Sequence, residues 1–305
     1  MNRLDFFINI YGKLNNYSFV PYWVLTLPRR IVRRAAGRMI PHYLLKRNNY
    51  IDGEKSEIIV SFTSFPTRIN NVWQVVECMK RQTLKPAKIL LWLSKEQFPT
   101  PESIPCSLKK REDDIFEIRM VDGDIRSYKK YYYVACEFPD RFIFLIDDDL
   151  YYPTNILKKT WDAHLEHPGN IICNYGYQMN YHPDGTVKSY KEWTQVFGDS
   201  DDDNLFFGSG GGTLIVPSNM HESLTNIDLA LKLTPIADDI WLNTMARLAG
   251  IKKHMIAHGL LLPIGFRDNV RLTSDNNGQN KNDEQLDQIR KYYANTSFGD
   301  PYKNY

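Results

Sequence analysis

Three consecutive carboxylates, Asp147, Asp148 and Asp149, follow five apolar residues, Phe142-Ile143-Phe144-Leu145-Ile146. A run of aromatic and β-branched residues reads as a buried central strand, and open α/β sheets bind ligands beyond the C-terminal ends of such strands. Three adjacent carboxylates repel one another, so a cation is expected to compensate them. Alternation along an extended backbone would turn Asp147 and Asp149 to one side and Asp148 to the other. Oxygen-only ligands suit Mg²⁺ or Mn²⁺, which keep part of their coordination for water and a diphosphate. A solvated acidic turn is the commoner fate of a charge run, but the apolar strand in front of this one argues against it. The other acidic run, Asp199-Ser200-Asp201-Asp202-Asp203-Asn204, lies in a polar stretch after Gly198 and is expected to be a surface loop rather than a metal site.

A second pair, Asp238-Asp239, follows Pro235 and precedes Trp241, Met245 and Leu248 at helical spacing, with Gly250 beyond them. Acidic residues in a first helical turn often only satisfy free N–H groups and the helix dipole. A paired Asp exceeds that need, so a catalytic role is expected. The helix N-terminus is expected to keep such a base ionised, with a lowered pKa. Gly208-Ser209-Gly210-Gly211-Gly212 would let backbone approach a ligand closely, with a flexible loop as the alternative. Neither a P-loop nor a Gly-x-Gly-x-x-Gly helix opening is present.

The elements that must hold these groups read as α/β. Glu57 to Thr63 is a strand, Val72, Val75, Val76 and Met79 mark one face of a helix, and Lys88 to Ser94 is a second strand, which together make a βαβ unit. A third strand from Phe116 to Val121 ends in Asp122-Gly123-Asp124, and a helix then carries Lys129 and Lys130 to about Cys136. After the aspartates, Pro153 suits the first turn of a helix whose face is Leu157, Trp161, His164 and Leu165, ending at Pro168-Gly169. Ile171 to Tyr175, Val187 to Trp193 and Leu205 to Pro217 are expected strands. Asn269 to Asn282 is polar and expected to be mobile, and Leu286, Ile289 and Tyr293 mark a last helix.

The composition, with 43% hydrophobic residues and net charge +2, is that of a globular chain and says little about partners. Its distribution says more. Phe6 to Ile51 holds eight basic residues and no acidic one, against 30 basic and 36 acidic residues in the remainder. Arg29-Arg30-Ile31-Val32-Arg33-Arg34 would give a cationic helical face among aromatics such as Tyr17, Phe19, Tyr22 and Trp23. Residues 1–51 are therefore expected to form an arm on an anionic membrane surface, with packing on the protein's own surface as the alternative and no nucleic-acid partner. Residues 52–305 form the second unit. Cys78, Cys106, Cys136 and Cys173 show no zinc pattern, and three of them fall inside expected elements, which suggests buried, reduced thiols in a cytosolic protein. No signal peptide or run of about 20 apolar residues is visible.

The turn from Thr63 to Arg68, Gln82-Thr83 after the first helix, Asp-x-Asp at a buried strand's end, the glycine-rich strand and Asp-Asp at a later helix start together resemble the GT-A glycosyltransferases. The likeness is to bacterial family 2 enzymes of capsular or O-antigen polysaccharide synthesis, and it covers about residues 57 to 265. It implies a Rossmann-like mixed sheet flanked by helices, with a nucleotide-sugar donor, a lipid-linked oligosaccharide acceptor and a place on the inner face of the plasma membrane. Asp147 and Asp149 would match the metal-binding pair. Asp239, with Asp238 beside it, would match the catalytic base of inverting members. Thr63 and Arg68 would lie near the nucleoside, and Asp122, Asp124, Lys130 and Asp148 near the rest of the donor. His258, or His254, would be a third metal ligand. The Asp that such enzymes place after the second strand is absent, since Ser94-Lys95-Glu96 stands there. The rival readings are a nucleotidyltransferase, for which Ser61 to Arg68 lacks the expected glycines, and a non-catalytic saccharide-binding or membrane scaffold.

Overall fold

The computed structural model describes residues 2–15, 22–46, 50–257, 261–265 and 281–304. Among them, β1 (Ile59–Thr63), β2 (Lys88–Ser94), β3 (Phe116–Val121), β4 (Ile143–Ile146), β5 (Ile171–Cys173), β6 (Gly211–Ile215) and β7 (Lys253–Met255) form one sheet in the order β7-β5-β6-β4-β1-β2-β3. β1 to β4 run parallel, β6 runs antiparallel between β4 and β5, and β7 is parallel to β5. The fold is thus mixed α/β, with a mostly parallel sheet flanked by helices.

Both faces of the sheet are buried, as continuous apolar strands require. Val60, Phe62, Ile89, Leu91, Phe144 and Ile146 join one core, and their neighbours Ile59, Leu90, Trp92, Ile143 and Leu145 join the other. The first core takes in α1 (Arg3–Asn15), α2 (Tyr22–Leu44), α3 (Trp73–Lys80) and α5 (Ile156–Glu166); the second takes in α4 (Lys129–Glu137), α6 (Asp238–Leu248) and α7 (Lys281–Ala294). The chain steps outward from β1 through β2 to β3 and returns to place β4 on the other side of β1. Such a reversal opens a crevice beyond the C-terminal ends of β1 and β4.

α1 and α2 bury Leu4, Phe7, Ile8, Ala36, Ile40 and Leu44 in the first core. Arg29 donates to Leu14 O at 2.8 Å, and Arg81 donates to Leu44 O at 2.7 Å, which fastens the hairpin at two points. Asp5 accepts from Thr154 N at 2.8 Å and from Thr154 Oγ1 at 2.6 Å. That pairing takes up the Thr154 N–H, and the helix expected from Pro153 begins instead at Ile156.

Other expectations are corrected. Val187 to Trp193 is not a strand: Ser189 Oγ and Tyr190 N donate to Asp283 at 2.7 Å, and Tyr190–Glu192 turns as a 3₁₀ helix. Leu205 to Pro217 is split, with Leu205–Phe207 in a small side sheet and Gly211–Ile215 in the main one. Leu165 is exposed, because the buried face of α5 is Ile156, Leu157, Thr160 and Ala163. Cys78 and Cys173 are buried thiols, but Cys106 and Cys136 are exposed. The polar stretch from Asn269 lies outside the described residues up to 280, and Lys281 and Asn282 open α7.

Candidate active site

Strand geometry ends at Ile146, and Asp148 and Asp149 lie in a turn, so the expected alternation does not extend to them. Asp148 is buried. Ser64 Oγ donates to its Oδ2 at 2.5 Å and Arg68 Nη1 to its Oδ1 at 2.8 Å, and the same Nη1 lies 2.9 Å from Asp149 Oδ2. Ser64 and Arg68 come from the turn that leaves β1, so neighbouring strands clamp the acidic turn between them. With both its oxygens engaged, Asp148 holds the turn. Asp148 and Arg68, both expected near the donor, here meet each other in this internal pair.

Asp147 faces a different set of groups. Its N–H donates to Gly210 O at 3.1 Å and to Tyr152 Oη at 2.8 Å, and its Oδ1 lies 3.1 Å from Lys130 Nζ. A Cβ on Gly210 would stand 1.8 Å from Asp147 Oδ2, so the glycine is there for close approach. Lys130 is buried in the first turn of α4, its carbonyl accepting from Ser61 Oγ of β1 at 2.5 Å. Its Nζ also lies 3.0 Å from Asp238 Oδ2, which has no aligned hydrogen bond among the described residues, so that contact is ionic. Next to it, Asp239 Oδ1 accepts from Ser209 N at 3.0 Å and from Ser209 Oγ at 2.5 Å. Lys130 therefore joins the two acidic pairs, and the turn after Phe207 sets Ser209 on one pair and Gly210 on the other.

Burial, then the charges of Asp147 and Asp148, push the Asp149 carboxyl up to about 7 despite Arg68. Asp148 is also raised, by burial first. Asp239 is pushed up to about 6 by burial and by Asp238, against Lys130 and Ser209. The lowered pKa expected from the helix N-terminus is thus reversed, since desolvation outweighs the dipole. For Lys130, burial alone would lower the pKa, but Asp147, Asp238 and Asp239 outweigh it and hold the ammonium charged.

Arg68 leaves the acidic turn undercompensated, and Asp147 and Asp149 keep open side chains, 44% and 30% exposed. An oxygen-only donor set with surplus negative charge fits Mg²⁺ or Mn²⁺. A pH dependence follows. Folded Asp149 and Asp239 keep protons that the unfolded chain releases near pH 4, so metal-free stability is expected to fall as pH rises from about 4 through about 7. A metal takes only the deprotonated carboxylate, so Mn²⁺ is expected to raise Tm more at about pH 8 than at about pH 5.5. Thermal melts at the two pH values check this, and equal shifts would count against metal binding by Asp149.

The remaining expected residues make other contacts. Thr63, at the end of β1, donates to Trp92 O at 2.7 Å. Asp122 and Asp124 follow β3 at the same edge of the sheet, but Asp122 pairs with Lys95 at 2.9 Å, while Asp124 takes Lys129 and, at 2.7 Å, Gln97. His258 lies outside the described residues. His254 is on β7, where its Nδ1 lies 2.9 Å from Asp201. Sequence reading missed Ser64, Tyr152 and Ser209 as partners. Ser64 and Ser209 carried a signal, in the turn from Thr63 to Arg68 and in the glycine cluster; Tyr152 carried none.

No protein-family model matches the chain, and no curated protein matches it significantly. Similar solved structures include HddC from Yersinia pseudotuberculosis, 11% identical with a TM-score of 0.34 over 53% of this chain and 77% of that one. The mannosyltransferase PcManGT from Pyrobaculum calidifontis, in complex with GDP-Man and Mn²⁺, is 10% identical with a TM-score of 0.45 over 96% of this chain and 79% of that one. 4-Diphosphocytidyl-2C-methyl-D-erythritol synthase from Anaerococcus prevotii is 12% identical with a TM-score of 0.38 over 74% of this chain and 98% of that one.

Proposed function

We propose that this chain is a metal-dependent glycosyltransferase that moves a sugar from a nucleotide-sugar donor to a saccharide acceptor, with inversion. The observation that carries this reading is Lys130, one buried ammonium joining Asp147 to Asp238, so that two acidic pairs far apart in sequence face one crevice. Asp147 and Asp149 would hold Mg²⁺ or Mn²⁺, which neutralises the charge developing on a leaving diphosphate. Asp239 keeps Oδ1 on Ser209 and offers its other oxygen to the acceptor hydroxyl, removing the proton as that hydroxyl attacks the anomeric carbon. A carboxyl at about 6 is a stronger base than an ordinary Asp and is still mostly ionised at neutral pH. Thr63, Asp122 and Asp124 line the strand ends on the side where the nucleoside would lie. Nucleotidyl transfer would leave Asp238 and Asp239 without a role.

The direct test is a thermal-shift screen of UDP-, GDP-, CMP- and dTDP-sugars with and without Mn²⁺. A donor at about a hundred times its Kd is expected to stabilise the fold by about 2.7 kcal/mol, only with metal and not in Asp149→Ala. A shift that survives Asp149→Ala, or that ignores metal, overturns the assignment of the donor site.

The acceptor is proposed to be lipid-linked, in surface polysaccharide synthesis on the inner face of a bacterial plasma membrane. No described helix is long and apolar enough to cross a membrane. On α2, however, Val24, Leu27, Ile31 and Met39 are exposed beside Arg30, Arg34 and Arg38, a combination that suits an anionic lipid surface. Leu27→Glu with Ile31→Glu is expected to abolish flotation of the full chain with anionic liposomes while leaving donor binding unchanged. Undiminished flotation would exclude α2 as the contact. Because α1 and α2 share the first core, substitution is a cleaner test than deletion.

A further inference from the structure

Three residues outside the crevice converge from separate elements. His167 follows the end of α5, His254 is the middle residue of β7, and Asp201 belongs to the polar run before Leu205–Phe207. Asp201 Oδ1 lies 2.9 Å from His254 Nδ1 and 3.6 Å from His167 Nδ1, and the three donor atoms all lie within 4.8 Å of one another. The two imidazoles stack with centroids 3.9 Å apart and planes at 16°, which turns both Nδ1 edges toward one carboxylate. We infer that His167, Asp201 and His254 form a second metal site, for a divalent transition ion of the zinc class.

The geometry and donor chemistry favour such an ion. Ligand distances of about 2.0–2.1 Å place tetrahedral donors about 3.3 Å apart, which the two observed separations bracket. Two imidazoles with one carboxylate suit zinc, cobalt or nickel rather than Mg²⁺ or Ca²⁺. The backbone is set independently of any ion: Ser200 and Met255 exchange hydrogen bonds at 3.1 and 2.8 Å, and Asp199 accepts from Ala257 N at 2.6 Å. The Asp201 side chain is 57% exposed, so water can complete the coordination. β5 and β6 separate β7 from β4, and the cluster shares no residue with the acidic crevice. The run expected to be only a surface loop is indeed exposed, and the ion would clamp it to the sheet edge just before the segment that carries Ser209 to Asp239.

The test titrates metal-free, full-length protein with Co²⁺ and follows visible d–d absorption. Asp149→Ala is expected to bind one equivalent of Co²⁺ at this site, with imidazole-type bands. Asp201→Asn and His167→Gln, each added to Asp149→Ala, are expected to weaken that binding by more than the about tenfold that even outer-shell changes bring. Metal-free melts of these variants should match Asp149→Ala, since neither replaced side chain is fully buried. Cobalt binding that is absent in Asp149→Ala, or that persists undiminished in both double variants, overturns the site. Donor binding that survives in Asp149→Ala with cobalt binding intact would count against the acidic crevice alone.

Discussion

Asp239→Asn is expected to lower kcat by about 10²–10⁴-fold while metal-dependent donor binding persists. The amide oxygen can still accept both bonds from Ser209, so the turn that also carries Gly210 keeps its place. What disappears is the capacity to take a proton. Wild-type kcat/KM should fall below about pH 6, where the carboxyl protonates, and the variant's residual rate should lack that limb. Steady-state rates across pH decide the matter. A variant within about threefold of wild type would remove Asp239 from the role of base.

Lys130→Met is expected to destabilise the fold by about 3 kcal/mol, at the lower end of the range for breaking a buried ion pair. The lower end applies because Asp147 is 44% exposed and water screens part of its loss, whereas the Asp238 side chain is 10% exposed. Chemical denaturation measures the change. Adding Asp238→Asn should restore part of it, since the amide needs no counter-charge. If Lys130→Met were as stable as wild type, Lys130 would not be the joint between the acidic pairs.

The sheet was legible because its strands are written in local pattern. Lys88 to Ser94 and Phe116 to Val121 were bounded correctly, and Val72, Val75, Val76 and Met79 are all buried as their spacing predicts. The βαβ unit and the acidic turn at a buried strand's end were legible too, but the reversal that places β4 beside β1 was not. The pairings within the site were not legible. Ser64 with Asp148, Lys130 with Asp238 and Ser209 with Asp239 join residues that only the folded chain brings together. The sign of the Asp239 shift was missed for the same reason. Helix position is local, but desolvation depends on what other segments cover. Val187 to Trp193 failed because Asp283, almost a hundred residues on, takes the Tyr190 N–H that a strand would have used and the Ser189 hydroxyl beside it.

The pairing of Asp5 with Thr154 has a practical side for anyone handling this protein. Asn2 Nδ2 donates to the same Asp5 carboxylate at 2.6 Å, so residues 2 to 5 brace the segment that runs on from the acidic turn through Tyr152. A purification tag or fusion partner joined directly ahead of them would press on that brace. Such a fusion should be kept away by a long spacer, because a poorly active preparation could otherwise be mistaken for a wrong choice of donor.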